Sequence, residues 1–237
     1  KALIRDSIFL ISIKNTLVYT FSTLFLTMAI ALLIAVALNR DLVGKNIYRT
    51  CFFMPHVASM IAVSMIWLWL YDPSRGIFNI LLDFVGIKKQ MFLFDPNLAM
   101  PCIIFMSIWK WVGFNMIIFL AGLQGIPEYL YEAATIDGAK NRQKFFRITI
   151  PMLRPIIFFL FVTGTINNFR VFEQVIVLTQ GGPLNATTTI VHQIYRRAFT
   201  DLFMGYAASQ SVILLIITSI IIFINFRFGK TGEDVSL

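Results

Sequence analysis

A polar segment between two long apolar segments reads Glu132-Ala133-Ala134-Thr135-Ile136-Asp137-Gly138-Ala139 and continues to Pro151. Just before it, Pro127 and Glu128 suit the first turn of a helix, because proline has no N–H to lose there and a carboxylate complements the helix dipole. Gly138 can adopt the left-handed backbone conformation that ends such a helix. A loop that only anchored the chain would not need these signals. We therefore predict a short structured helix that docks on another protein.

The composition of the whole chain is that of a membrane protein. Of its 237 residues, 58% are hydrophobic and only 14% are charged, and the mean hydropathy is +0.78. Soluble domains carry roughly 25% charged residues, so this chain lacks the polar surface that a water-soluble fold of its size needs. The net charge of +8 does not indicate nucleic-acid binding, because the basic residues lie mainly at the ends of apolar runs.

Five apolar runs are each near or above the roughly 20 residues that a helix needs to cross the hydrocarbon core of a membrane. They cover about 16–38, 52–70, 101–123, 155–179 and 207–228. We therefore predict an all-α fold, a polytopic transmembrane helix bundle of five spans forming one membrane domain over 1–237. Short apolar stretches over 77–85 and 190–199 are expected beside the membrane, where they either anchor the chain or receive an external partner.

The positive charge of the predicted loops indicates the orientation of the chain. Ten lysines and arginines occur in the 54 residues on the side of the polar loop, counted over 39–50, 124–154 and 227–237. Eight occur in the 72 residues on the other side, counted over 1–15, 71–100 and 180–206. This modest bias agrees with the excess of lysine and arginine on cytoplasmic loops. The bias supports a cytoplasmic position of the 124–154 loop, and the predicted docking helix in that loop decides the orientation.

Polar side chains inside the third and fourth spans are the candidates for contact with a transported solute. A cation at the centre of a membrane helix costs roughly 2.5–3.5 kcal/mol, so Arg170 should face protein or water, and Glu173 can pair with it three residues further along. Asparagine offers both donors and acceptors, which suits hydroxyl-rich ligands. The alternative is that such residues only hold the helices together. The candidate set is Asn115, Asn167, Asn168, Arg170, Glu173 and Lys110.

The sequence predicts no metal, nucleotide or other cofactor site in this chain. His56 and His192 are far apart and have no ligand partner at a fixed spacing, and Cys51 and Cys102 form no disulfide framework. Gly229-Lys230-Thr231 ends like a phosphate-binding loop but lacks the first glycine of that motif and follows a membrane span. The energy for transport must then come from a partner ATPase or from an ion gradient.

Several groups of residues together resemble one family of transport proteins. The segments Glu132–Ala134 and Asp137–Ala139, with Phe145, Ile148, Pro151 and Pro155, closely resemble the loop of binding-protein-dependent ABC importer permeases. Two further blocks, 109–116 and 178–183, resemble the sugar-permease branch, which includes the maltose and glycerol-phosphate importer subunits.

The resemblance implies a transmembrane permease subunit of an ATP-driven importer for a sugar or oligosaccharide in the bacterial cytoplasmic membrane. It implies a second, related permease in a heterodimer, two ATPase subunits that bind ATP and Mg, and an extracytoplasmic solute-binding protein. It also implies a further helix upstream of the five spans. The residues that it assigns to coupling with the ATPase are Glu132, Ala133, Ala134, Asp137, Gly138 and Ala139.

Two other classes of membrane protein remain as alternatives. An ion-coupled secondary transporter of a polar solute would need buried carboxylates, but Glu173 is the only acidic residue inside a predicted span. A membrane-embedded transferase would need a cluster of acid, base or metal-binding residues at the interface, and the sequence shows no such cluster.

Overall fold

The computed structural model describes residues 2–40 and 43–229, and every regular element within these ranges is helical, as predicted. The end of the phosphate-loop match, Lys230-Thr231, lies outside the described residues. A 3₁₀-helix covers Phe92–Phe94, and π-helical turns cover Phe145–Thr149 and Arg196–Thr200. The α-helices are α1 (Ala2–Arg5), α2 (Ser7–Leu38), α3 (Lys45–Val57), α4 (Met60–Leu70), α5 (Ile77–Phe84), α6 (Ala99–Gln124), α7 (Glu128–Ile136), α8 (Asn141–Lys144), α9 (Ile150–Met152), α10 (Arg154–Phe169), α11 (Glu173–Leu178), α12 (Ile190–Tyr195) and α13 (Met204–Gly229).

The described part of the chain holds three helices that could cross a membrane, or up to five spans if each bent pair of helices is one span, and the predicted five equals this upper count. Helices α2, α6 and α13 are each long and apolar enough to cross a membrane alone. Two further spans consist of shorter helices that meet at a sharp bend. The bend is 99° between α3 and α4, and 62° between the helical segment Asn141–Met152 and α10.

The second span breaks at Ala58 and Ser59. Pro55 lies inside α3, where it lacks the N–H that a helix interior requires. Two residues beyond it the helix ends, and Ala58 and Ser59 adopt extended backbone angles before α4 begins at Met60. The apolar run predicted as one span is therefore two helices joined by an extended link.

The fourth apolar run is interrupted a second time, beyond α10, at the polar residues that the sequence places inside a helix. Helix α10 ends at Phe169, Arg170 is its C-terminal cap residue, and Phe172 leaves helical geometry with φ −149° and ψ −59°. A new helix, α11, then starts at Glu173. The prediction of one continuous helix over 155–179 is wrong, because hydrophobicity alone does not distinguish a broken span from a continuous one.

The central helices pack with α2 and α6 side by side and in the same direction. Tyr19 of α2 contacts Ser107 of α6, and the later part of α2 shares an apolar cluster with the later part of α6. Helix α10 runs the opposite way, because Ile156 at its start lies against Gly122 and Gly164 near its end lies against Leu24. The polar loop and the start of α10 therefore lie at the same end of the bundle.

Two apolar clusters fill the bundle, one on each side of the breaks. The cluster nearer the loop contains Met28, Ala35, Met116 and Leu160. The other contains Trp67, Tyr71, Ile103 and Val175, and it is rich in aromatic contacts around Trp67. The polar residues of the third and fourth spans lie at the level between the two clusters.

The segment after α11 folds back on the start of α2. The side-chain amide of Asn15 donates hydrogen bonds to the carbonyls of Asn185 and Thr188, both at 3.0 Å. The hydroxyl of Thr189 donates to the carbonyl of Val171 at 3.0 Å. The backbone amide of Ile190 donates to Thr16 at 3.0 Å. The polar residues of this segment therefore fix it as a structured surface at the end opposite the loop.

Candidate functional site

The two broken spans face a common cavity of about 630 Å³. The link in the second span contributes Ala58 and the start of α4 contributes Met60, while the break in the fourth span contributes the stretch 167–168 and 170–174. The remaining wall comes from α2, α6, α12 and α13, through Tyr19, Lys110, Trp111, Val191, Ile194, Ser211 and Leu214. Among the predicted candidates, the cavity brings together Lys110, Asn167, Asn168, Arg170 and Glu173.

A narrow polar cleft adjoins this cavity on the side nearer the loop. It encloses about 30 Å³ and shares Trp111, Asn167 and Asn168 with the larger cavity. Asn115, the sixth predicted candidate, lies in this cleft. The other polar side chains of its wall are Thr23, Thr27 and Thr163. All six candidates therefore line one continuous polar region.

Lys110 is held by the end of α3. It is only 3% exposed, and its ammonium donates hydrogen bonds to the carbonyls of Pro55 at 3.1 Å, Ala58 at 2.5 Å and, more weakly, His56 at 3.4 Å. The last carbonyls of a helix have no partner within the helix, and a cation at that end also complements the helix dipole. The structure therefore gives Lys110 a structural role at the break in the second span.

Two further contacts fix the end of α3 against α6. The ring of His56 stacks on Phe114 with 4.6 Å between the ring centroids and lies against Trp111 at 4.9 Å. A Cβ atom at Gly113 would lie 1.8 Å from the carbonyl oxygen of Phe52, so α6 approaches the backbone of α3 as closely as only glycine permits. The bend in the second span is thus supported from one face of α6.

Some polar side chains beside the cavity have a partner within the chain, whereas the buried hydroxyls of Thr23 and Thr27 in the cleft have none among the described residues. Gln174 donates a hydrogen bond to the hydroxyl of Tyr19 at 2.8 Å, and Tyr19 donates to Ser107 at 2.9 Å. These three residues join α11, α2 and α6. Sequence analysis did not select Tyr19, although it belongs to a polar stripe that recurs every three or four residues along α2: Ser12, Thr16, Tyr19, Thr20, Thr23 and Thr27, all buried.

Five candidate side chains are different, because they face the cavity or the cleft without using their polar groups. Within the described residues, no side-chain hydrogen bond or ion pair satisfies Asn115, Asn167, Asn168, Arg170 or Glu173. Asn168 is buried and Asn115 is half-buried, and polar groups in such positions are normally hydrogen-bonded. Asn167, Arg170 and Glu173 are exposed in the single chain. These unused donors and acceptors are therefore open to a ligand, to water or to a partner subunit. This unused capacity is what a site for a polar solute requires.

The predicted ion pair between Arg170 and Glu173 does not form within 4.0 Å. The ion pairs between described residues are those of Arg197 with Asp6 and with Asp201. Spacing of three places two side chains on one face only in a continuous helix, and here α10 ends before Arg170 while α11 begins at Glu173. Glu173 instead interacts electrostatically with Lys110 across the cavity.

The polar loop forms the short helix that the sequence predicts. Helix α7 spans Glu128–Ile136, Asp137 is its C-terminal cap residue, and Gly138 has a φ of +74°. The loop end presents apolar surface to solvent, with Ile136 87% exposed and Tyr129 65% exposed. Of the residues assigned to coupling, Glu132, Ala133, Asp137 and Gly138 are exposed, and Ala134 and Ala139 are half-buried.

Side-chain contacts attach α7 to the segment that follows it. The hydroxyls of Tyr131 and Thr149 are hydrogen-bonded at 2.9 Å, and the ammonium of Lys144 donates to Thr135 at 2.6 Å. Beneath them, Gly122 at the end of α6 lies directly against Leu153 and Ile156. A force applied to the exposed face of α7 would therefore pass into α6 and α10, which both line the cavity.

Comparison with known families decides the class of this protein. Residues 27–229 match the model of the family described as binding-protein-dependent transport system inner membrane component. The chain belongs to this family. The match covers α6 to α13 entirely, so both the cavity and the α7 loop are parts of a family permease.

Relatives with curated names are also permeases. The sn-glycerol-3-phosphate transport system permease protein UgpA of Agrobacterium fabrum is 38% identical to this permease over 228 residues, which cover 96% of this chain and 78% of the relative. The probable ABC transporter permease protein YesP of Bacillus subtilis is 39% identical over 220 residues, covering 91% and 71% of the two chains.

Solved structures of permeases have the same fold. A chain of a bacterial alginate ABC transporter, in complex with a periplasmic protein bound to an alginate pentasaccharide, is similar with a TM-score of 0.89 and 27% identity, covering 98% of this permease and 82% of that chain. An amino acid ABC transporter matches with a TM-score of 0.57 and 15% identity, over 96% of this permease and 93% of that chain. At 15% identity, the similarity to the amino acid transporter shows only that the two chains share a fold.

Proposed function

We propose that this permease moves a hydroxyl-rich solute of the sugar or sugar-phosphate class into the cell, as a subunit of an ATP-driven importer. The observation that carries the proposal is the set of unused polar side chains on the wall of the cavity and the adjoining cleft. Amide groups can donate to one hydroxyl and accept from another, and Trp111 and Phe172 on the same wall provide apolar surface for a sugar ring.

The named relatives support this class of solute. One is a permease of a glycerol-phosphate system, and the similar solved structure comes from an importer of alginate, an acidic polysaccharide. Both solutes carry hydroxyl groups. A cavity of about 630 Å³ falls within the range of roughly 300–1,000 Å³ that small-molecule sites occupy.

The solute reaches the cavity from an extracytoplasmic binding protein in this proposal. The family description and the complex of the alginate transporter support such a partner. The segment after α11, which Thr189 and Asn15 hold against α2, supplies a structured surface at the end opposite α7. Leu184 in this segment is 87% exposed and is available for contact.

Energy comes from two ATPase subunits, one of which docks on α7. The exposed Ile136 and the small residues Ala133 and Gly138 form a surface that fits a shallow cleft on a partner. The attachment of α7 to α6 and α10 supports transmission of the ATPase movement to the cavity. ATP and Mg bind to the ATPase in this proposal, and the membrane is the bacterial cytoplasmic membrane.

A second, related permease completes the pathway. In the isolated chain Asn167, Arg170 and Glu173 are exposed, although they lie at the depth where lipid would otherwise surround the bundle. Exposed polar groups at this depth are costly in lipid, so a second permease must cover them. We propose a heterodimer, as in the named sugar-permease branch.

Reconstitution of the complete complex tests the proposal. The permease, its partner permease, the ATPase and the binding protein would be placed in proteoliposomes, and uptake of labelled saccharides and sugar phosphates would be measured with and without ATP. We expect uptake only when ATP and the binding protein are both present. Uptake driven by a proton or sodium gradient without ATP would contradict the proposal and favour an ion-coupled transporter.

A further inference from the structure

We propose that the transported solute carries an anionic group, a phosphate or a carboxylate, and that the guanidinium of Arg170 binds it. The inference rests on the proposed function, because it concerns the chemistry of the same cavity. It adds the charge of the solute and assigns the residue that recognises this charge.

Three charged side chains line the cavity: Lys110, Arg170 and Glu173. The ammonium of Lys110 is already occupied, since it donates hydrogen bonds to the carbonyls of Pro55 and Ala58. It also lies in the electrostatic field of Glu173. The donors of Lys110 are therefore committed to the end of α3, and the other cation on the wall is Arg170.

The side chain of Arg170 has no partner within the described residues of this chain. Only its backbone amide takes part in the structure, by donating to the carbonyl of Asn167 at 3.2 Å. Within residues 2–40 and 43–229 no carboxylate lies within 4.0 Å of its guanidinium, and no carbonyl accepts a hydrogen bond from it. The end of α10 would favour any cation at this position, so the helix alone does not explain a group with five unused N–H donors.

The guanidinium of an arginine matches the spacing of two oxygen atoms of a carboxylate or a phosphate. Its planar fork donates two parallel hydrogen bonds to a carboxylate or phosphate, which an ammonium cannot reproduce. Asn167 and Asn168 lie two and three residues before Arg170 at the same break and line the same cavity. The anion would thus bind at Arg170 while the hydroxyl groups of the same molecule bind the two amides.

Uptake of matched solutes by the complete complex tests the charge. The probes are sn-glycerol 3-phosphate against glycerol, and trigalacturonate against galactotriose, each with ATP and the cognate binding protein present. The binding protein isolated from its host also reports the charge, through the bound molecule identified by mass spectrometry. We expect an acidic molecule on the binding protein and uptake of an acidic probe at least tenfold faster than its neutral partner.

Variants of Arg170 test whether this residue binds the anionic group of the solute. We expect Arg170→Gln to raise the KM for the acidic solute at least tenfold, and Arg170→Lys to recover part of this loss. Arg75→Gln is the matched control, because Arg75 is exposed on a turn outside the cavity and its loss should leave the KM unchanged.

Three outcomes would overturn the inference. One is a neutral molecule on the binding protein, or neutral probes that are imported as well as acidic ones. Another is an unchanged KM in Arg170→Gln. The third is failure of Arg170→Gln to assemble with the second permease, which would make Arg170 an interface residue. Absence of ATP-dependent uptake for every saccharide and sugar phosphate would instead contradict the proposed function itself.

Discussion

The ammonium of Lys110 and the carbonyl of Ala58 are hydrogen-bonded at 2.5 Å, although 52 residues separate them in the sequence. Ala58 is the point at which the second span leaves helical geometry, and Lys110 lies in the middle of α6. A buried cation thus stabilises the broken end of a neighbouring helix. This contact explains how a charge predicted to be costly inside a span is accommodated without reaching lipid or solvent.

Replacement of Lys110 by methionine should destabilise the break in the second span. The carbonyls of Pro55 and Ala58 would lose their donor, and each buried group left unpaired costs about 1–3 kcal/mol. We expect a lower melting temperature in detergent and a faster reaction of a cysteine introduced at Ser59 with a soluble thiol reagent. Lys110→Arg, which keeps the charge, is the control and should be less affected. Equal stability of the methionine variant and the wild type would show that Lys110 does not stabilise the end of α3.

Replacement of Gly138 by valine should uncouple ATP hydrolysis from transport. Gly138 has a φ of +74°, which a β-branched residue rarely adopts, so the end of α7 would be displaced. Gly86 is a matched control, because its φ is +77° and a Cβ atom would meet nothing within 4 Å at either glycine. We expect ATP hydrolysis stimulated by the binding protein to collapse in Gly138→Val and to persist in Gly86→Val. If stimulated ATP hydrolysis were the same in Gly138→Val and Gly86→Val, the proposal that α7 docks on the ATPase would be contradicted.

Replacement of Asn168 by leucine should weaken transport without weakening the fold. The Asn168 side chain forms no hydrogen bond within the described chain, so its replacement by leucine breaks no internal hydrogen bond. Loss of one hydrogen bond to a buried solute costs about 1–3 kcal/mol, or roughly five- to 150-fold in affinity at 25 °C. We expect a higher KM for uptake with normal assembly and basal ATP hydrolysis.

Asn79 provides the contrast to Asn168. Its side chain donates to the carbonyl of Gln90 at 2.9 Å and accepts from the amide of Gln90 at 2.8 Å. Asn79→Leu should therefore lower the melting temperature and leave the KM of the remaining folded protein unchanged. A normal KM in Asn168→Leu would leave that residue with no part in the pathway.

Acid should weaken the contacts of Asp6 at the end of the bundle opposite α7. Burial raises the pKa of Asp6, but hydrogen bonds from Tyr206 and from the amides of Phe9 and Ile8, with the charge of Arg197, outweigh it and hold the pKa below the ordinary value of 3.8. A carboxyl whose folded pKa is lowered stabilises the protein above its unfolded pKa, and this contribution is lost as the pH falls through the folded value.

Thermal unfolding measured between pH 6 and pH 3 would test this dependence. We expect the difference in melting temperature between the wild type and Asp6→Asn to be constant near pH 6 and to shrink below about pH 4. A difference that does not change with pH would show that the contacts of Asp6, not its charge, stabilise this end.

Photocrosslinking tests the surface proposed for the binding protein. A photoreactive residue at Leu184, which is 87% exposed, should form a product with the binding protein under turnover conditions. The same residue placed at Ile136, which is 87% exposed at the α7 end, should crosslink only to the ATPase. A product between Ile136 and the binding protein would reverse the proposed orientation.

The apolar runs and the helix of the polar loop could be predicted because their signals are local. Apolar runs set the length of each span, and Pro127 and Gly138 mark the limits of α7 within a few residues. The breaks could not be predicted, because the run through Pro55 remains apolar and the run through Arg170 has no proline at the break. The contact of Lys110 with the end of α3, and the chain of hydrogen bonds through Tyr19, depend on residues that only the tertiary fold brings together.

The outer halves of the two broken spans, α4 and α11, pack against one another. Each is joined to the preceding helix by a short non-helical link, 58–59 in one case and 170–172 in the other. Rotation about these two links would tilt α4 and α11 together as a rigid pair, without bending α2 or α6. We therefore expect the entrance of the cavity to widen when α4 and α11 tilt together. A single small displacement would then move the parts of the cavity wall that the second and fourth spans contribute.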